Sequence, residues 1–254
     1  MPRVPALLAV FAALLLAACG GAEAPAKPGA EAPLPLAQVD PATAGTVTGK
    51  VTFAGPAPVM PAIDMASNPN CERQHKTPLK AETAVVNPNG TLRYVFIWIK
   101  DGLPKARWNP PAEPVRLDQS GCVYTPHVLG IMQGQQLEIL NSDPVNHDLH
   151  AESKVNPAWN ESQPPRAEHK FKVFNASEVM FPMTCNVHPW MRSWIAVSPH
   201  PFFAVTGSDG SFRLNGVPPG TYTIEAVHEQ FGRKQATLTL APGGAATLDF
   251  SYGS

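Results

Sequence analysis

Charge is scarce in this chain of 254 residues: 15% of positions are charged and the formal net charge is −1. That leaves no basic field with which to hold a nucleic-acid backbone. Long apolar runs are missing as well. The apolar stretch 6–18 is too short to span a bilayer. No nucleophile–base pair stands out, and there is no second cluster of metal-ligating residues, so the sequence does not point to an enzyme. Cysteine is limited to four positions, 19, 71, 122 and 185, few enough that each can be followed separately. Proline (29) and glycine (19) are plentiful, as in strand-and-turn proteins and unlike helical bundles. The length suits one large domain or two small ones with a proper core.

The densest chemistry lies in residues 179–191. There Cys185, His188 and Met191 follow a C-x2-H-x2-M spacing: a thiolate, an imidazole and a thioether within seven residues. Packing alone does not call for soft donors this close together, whereas a single copper ion does. Electron-transfer copper sites use two His and one Cys in a near-trigonal plane with a long axial Met. A second His must come from elsewhere. The segment Asn141-Ser-Asp-Pro-Val-Asn-His147-Asp-Leu-His150 follows a strand-like run, 136–140, and offers His147 by register, with His150 as the alternative.

The two motifs together, G-x-x-L-E-I-x-N-x-D-x-x-x-H from Gly134 and C-x-x-H-x-x-M from Cys185, resemble the cupredoxins, the small blue copper proteins. The short ligand loop is most similar to that of the amicyanins. The resemblance implies one type 1 copper held by His147, Cys185, His188 and Met191, with His150 outside the set. It also implies that the loop histidine, beside Pro189 and Trp190, pierces an apolar surface patch and serves as the electron port. The family usually has Asn after the first His, bonded across to the Cys loop; this chain has Asp148. Asp148 and Asn141 are therefore expected to support the ligands from behind.

Arg3 precedes the apolar stretch, which ends Leu16-Ala-Ala-Cys19-Gly20. The pattern is right for a signal-peptide core and resembles the bacterial lipobox, in which the Cys is lipidated. The alternative is an ordinary secretory signal with an incidental Cys. Gly20 after Cys19 implies, by resemblance to other lipoproteins, the outer membrane of a Gram-negative cell, with the chain facing the periplasm. With Cys19 on lipid and Cys185 on copper, Cys71 and Cys122 remain. In an oxidising compartment they are expected to pair, closing a loop of about 50 residues for roughly 4 kcal/mol; two separately buried thiols are the alternative. A binuclear copper site needing two Cys on the ligand loop is not supported, because the loop has one.

Residues 20–44, rich in Ala, Pro and Glu, read as an extended spacer. Residues 45–55 alternate as a strand, 56–90 read as a long connection pinned by the disulfide, and 92–100 is the strongest strand pattern. Short strands are expected at 115–118, 122–124, 127–132, 135–140, 169–174, 179–184 and 193–197, with a loop at 159–165. The expected fold class is all-β, a Greek-key β-sandwich over 45–199. From 200 to 254 the D-G-x-F-x-L and V-P-P-G-x-Y patterns (Asp209 to Leu214, Val217 to Tyr222) resemble the carboxypeptidase regulatory-like, or transthyretin-like, sandwich. That family usually opens with G-x-V-x-G-x-V, which residues 45–51 supply, so the first strand is a candidate to complete the C-terminal module. The expected function is a membrane-anchored electron carrier, monomeric, that meets redox partner proteins transiently. The rival is a copper-delivery protein, supported only by Met180 and Met183.

Overall fold

The computed structural model describes Met1 and residues 33–253; Cys19, nearly all of the expected signal segment and residues 20–32 of the expected spacer lie outside them. Nearly every regular element is a strand, and the strands form two sandwiches, each built over its own apolar core. The all-β class stands.

The outer sandwich starts with β1, Gly45–Ala54, whose alternation turns Val47 and Val51 fully inward. β1 pairs antiparallel with β13 (Ser211–Val217), and in parallel with β16 (Ala245–Thr247) and β17 (Phe250–Gly253). The first strand thus lies among strands from the far end of the chain. Its glycines are there for contact: a Cβ on Gly49 would stand 1.9 Å from the Leu248 carbonyl oxygen and 2.7 Å from the Phe212 ring. Gly49→Val is therefore expected to cost about 3 kcal/mol through overpacking, read as a lower urea midpoint. An unchanged midpoint would show that this close approach is dispensable.

The opposing sheet has the order β12 (Phe203–Val205), β2 (Phe96–Asp101), β14 (Gly220–His228), β15 (Gly232–Leu240). β2 is central, as its apolar run predicts, yet it starts at Phe96 because Tyr94 takes a positive φ of 62° that breaks the extended chain. The expected 45–199 span is consequently divided: β1 and β2 pair with strands beyond residue 200. The G-x-V-x-G-x-V opening matches β1 to the C-terminal module, whereas alternation alone reveals β2 as a strand but not its partner.

The inner sandwich comprises nine strands. One sheet runs β4 (Tyr124–Thr125), β3 (Val115–Gln119), β6 (Gln136–Asn141), β9 (Lys170–Val173). The other runs β5 (Val128–Met132), β11 (Arg192–Ser198), β10 (Glu178–Thr184), β7 (His147–Ala151), β8 (Trp159–Gln163). Leu117, Leu137 and Ile139 of the first sheet meet Leu149, Phe181, Met183, Ile195 and Val197 of the second in one core. β8 replaces the loop expected over 159–165. Its middle residues are polar, which conceals the alternation, but Trp159 packs on the core and Gln163 is buried, accepting a hydrogen bond from Gln119 Nε2 at 2.7 Å.

Residues 56–90 lie against the inner sandwich as expected for a connection, with a four-residue helix α1 (Pro69–Glu72) carrying Cys71. Cys71 and Cys122 are disulfide-bonded. The spacer expected to reach residue 44 is ordered earlier, since Ala37 N–H donates to the Arg107 carbonyl at 2.7 Å. The two sandwiches are pinned by Glu229 of the outer one, which accepts Trp194 Nε1 at 2.7 Å and is bonded to His127 Nε2.

Candidate metal centre

The pleat of β7 selects the first histidine. His147, Leu149 and Ala151 point inward and are fully buried, while Asp148 and His150 face the other way. His150 is spent on Asn186, with Nδ1 3.3 Å from Oδ1. β10 and β11 are antiparallel neighbours, and residues 185–191 are the turn between them, at the end of the sandwich. β7 pairs with β10 through Thr184↔His150, which brings His147 to the base of that turn.

His147, Cys185 and His188 each place one donor atom within 4.8 Å of the other two, all buried. The two Nδ1 atoms lie 2.9 Å apart, and Cys185 Sγ lies 3.8 Å from His188 Nδ1. Met191 is 1% exposed and belongs to the same core cluster as Cys185. Its N–H donates to the His188 carbonyl at 2.9 Å, closing the loop.

The surrounding groups orient these donors. Asp143 Oδ2 is 2.8 Å from His147 Nε2, which fixes the ring with Nδ1 turned toward Cys185 and His188. Asp143 is held in turn by the N–H groups of Gly121 (2.7 Å) and Cys122 (2.8 Å). Burial pushes the Asp143 carboxyl up, but His147 and those two N–H groups outweigh it and hold it below the usual range. Burial likewise pushes His147 down, and Asp143 with Cys185 more than reverse it. For Cys185, burial raises the thiol while His147 and the N–H groups of Asp148, His188 and Val187 prevail, leaving it below its ordinary value. His188 is held down by burial first and by the charge of His147 second. These shifts ease loss of the Cys185 proton, and the thiol and two imidazoles together make a soft S/N donor set that suits copper.

Asn141 braces the segment before His147: its Nδ2 lies within hydrogen-bond distance of the carbonyls of Val145 (2.9 Å), Gln163 (2.9 Å) and Pro164 (3.1 Å). Asp148 acts through its backbone, whose N–H donates to Cys185 Sγ at 3.3 Å. Among the described residues its carboxylate bonds nothing across the loop, unlike the expected Asn-type link. Tyr124 adds a tie that sequence reading missed: its hydroxyl sits between the carbonyls of Asp148 and Thr184, the latter at 3.0 Å.

One expectation fails. His188 is 2% exposed and does not pierce the surface. Its outer nitrogen, Nε2, lies 3.5 Å from Cys71 Sγ, so the Cys71–Cys122 disulfide covers the position of the expected port. The Trp190 ring stands beside His188 at 5.2 Å between centroids and donates Nε1–H to the Cys122 carbonyl at 2.9 Å. Pro189 is exposed, Trp190 half-buried, and both line a groove of about 870 Å³ with Val59, Met60 and Leu79. Met183 is fully buried and packs in the core, so it presents no surface sulfur for relaying metal.

Residues 196–252 match the carboxypeptidase regulatory-like domain family. No curated protein matches the chain. Among solved structures, a Cu-containing nitrite reductase (NirK) from Thermus scotoductus SA-01 aligns at 21% identity, covering 35% of this chain and 25% of that one, with a TM-score of 0.32. The chain thus spans a quarter of the length of that reductase. A reduced-state amicyanin variant aligns at 16% identity over 39% of this chain and 100% of its own, TM-score 0.31. A purple cupredoxin from Nitrosopumilus maritimus aligns at 19% identity over 33% and 98% respectively, TM-score 0.28. Cupredoxins are thus among the chain's structural neighbours, at low coverage.

Proposed function

We propose that the chain is an electron carrier with one mononuclear type 1 copper site formed by His147, Cys185, His188 and Met191. The observation that carries this reading is the convergence of two imidazole Nδ1 atoms and one thiol in a buried pocket at the end of a sandwich. Copper, when bound, supplies a one-electron Cu(I)/Cu(II) couple. The protein's own part is to keep the donors still. His147 is locked by Asp143, Cys185 by the Asp148 N–H, and His188 between Trp190 and the disulfide. Such a preset geometry changes little when charge changes, as a carrier requires. Cys185 would hold the metal as a thiolate, and Met191, buried in the same core cluster, would offer it a thioether.

With His188 covered, an electron leaves this site through the Trp190 and Pro189 face, where the groove could receive a partner in a small transient interface. A lipid on Cys19 would tether the chain to the periplasmic side of an outer membrane, where Cys71 and Cys122 can remain oxidised.

The test is the visible and EPR spectrum of the Cu(II)-loaded chain beside Cys185→Ala. An intense thiolate-to-copper band that disappears in the variant is the expected result. A weak spectrum indifferent to Cys185 would remove the type 1 assignment and favour plain copper binding or delivery.

A further inference from the structure

The disulfide does more than close a loop, because of where it lies. Cys71 Sγ, Cys122 Sγ and one nitrogen of His188 fall within 4.8 Å of one another, and all three residues are buried. The nitrogen facing the sulfurs is Nε2, 3.5 Å from Cys71 Sγ, while Nδ1 faces His147 and Cys185. His188 therefore stands between two soft-donor sets, one on each ring nitrogen. The far set is occupied by a sulfur–sulfur bond. Bonds other than the disulfide also hold its donors: Cys122 by its N–H to Asp143 and its carbonyl to Trp190, and Cys71 by its place in α1. The sulfurs are also close to solvent, since the exposed side chain of Gln74 reaches Cys122 Sγ at 3.7 Å.

We propose that reduction of the Cys71–Cys122 disulfide opens a second soft-metal site, in which the two thiolates and His188 Nε2 bind one monovalent copper ion. The reductant is an external dithiol. Its two thiols close to a disulfide, the Cys71–Cys122 bond breaks, and the two cysteines take up two electrons and two protons. Binding one Cu(I) then releases both thiol protons and the Nε2 proton of His188, with no change in the metal's oxidation state. Two thiolates and one imidazole nitrogen form the low-coordinate soft set that Cu(I) prefers over harder divalent ions. Asp143 is not needed as a ligand and keeps its bonds to His147, Gly121 and Cys122. The inference rests on the copper reading only in sharing His188.

The experiment is an anaerobic titration of the full chain with Cu(I) against a chromogenic Cu(I) chelator. It is run on oxidised protein, and on protein reduced by a dithiol and then desalted. The expected stoichiometry rises from about one to about two equivalents per chain on reduction, with X-ray absorption showing more thiolate sulfur per copper, from about one to about one and a half. Cys71→Ser/Cys122→Ser should bind about one equivalent under both conditions. Alkylating the reduced chain after the first copper has been bound, so that Cys185 is protected, should do the same and needs no folded variant. One equivalent in both redox states would overturn the proposal. So would a second equivalent that survives alkylation, or a disulfide that stays closed in the folded chain. The first reading fails separately, by absence of the Cys185-dependent band from oxidised protein loaded with Cu(II).

Discussion

Between pH 6.5 and pH 4 the folded chain should lose stability on the order of 6 kcal/mol through two buried histidines. Burial holds His200 and His228 down to about 4, from an ordinary value of 6.5. The geometry explains why the neutral form is required. His200 Nε2 donates to the Ile99 carbonyl at 2.7 Å, so Nδ1 must accept the Phe202 N–H at 3.2 Å. His228 Nδ1 accepts the Gln230 N–H at 3.1 Å, among the rings of Phe231 and Tyr252. Above pH 6.5 neither folded nor unfolded chain protonates these rings, and they add no slope. Below it the unfolded chain binds protons that the folded one refuses, so stability falls until the folded rings titrate near pH 4. Urea unfolding of the copper-loaded chain at several pH values reads the slope. His228→Asn, which keeps an acceptor where Nδ1 stood, should remove about half of it. Equal slopes in the two proteins would mean that His228 is not the proton-refusing group.

If His147 holds copper as proposed, Asp143→Ala should weaken copper binding about 10- to 100-fold, because it removes the carboxylate behind that histidine. The same change strands three donors at once: His147 Nε2–H and the N–H groups of Gly121 and Cys122. Each buried unpaired donor costs about 1–3 kcal/mol, so a loss of roughly 4 kcal/mol in folding stability is expected as well, with water meeting part of the need at half-buried Gly121. Asp143→Asn separates the two effects. Its amide oxygen, set at the Oδ2 position, can still accept from Cys122, while its NH2 faces half-buried Gly121, and it can no longer provide the negative charge beside His147. Stability should recover most of its value, while affinity for copper remains reduced. Competition against a graded series of chelators measures the affinity. Full affinity in both variants would show that His147 is oriented without Asp143.

Local features of this chain were legible and distant ones were not. Cys185, His188 and Met191 sit on one turn, so their spacing alone brings them together. His147 over His150 followed from the two-residue pleat of a strand with one face inward. Asp143 was in view, four residues before His147, but the bend that folds its carboxylate back onto the imidazole depends on Asn141 capturing three carbonyls, one of them in β8. β8 itself was hidden because its central residues are polar. The cover over His188 needed the most distant information. Cys71 is 117 positions away from it, and no periodicity reports such a contact. The pairing of β2 with strands after residue 200 is of the same kind: its residues declare a strand and only tertiary packing assigns the neighbours, whereas the opening pattern of β1 points to the C-terminal module.

That interleaving has a topological consequence. From β1 in the outer sandwich the chain visits the inner core at Ile63, Cys71 and Leu79, returns to the outer one at Val86 and Leu92, leaves again after β2, and comes back before β12. The halves are therefore joined by several separate crossings of the chain. A pull applied at the N-terminal end loads β1, which lies inside its own sheet, before it reaches residues 185–191.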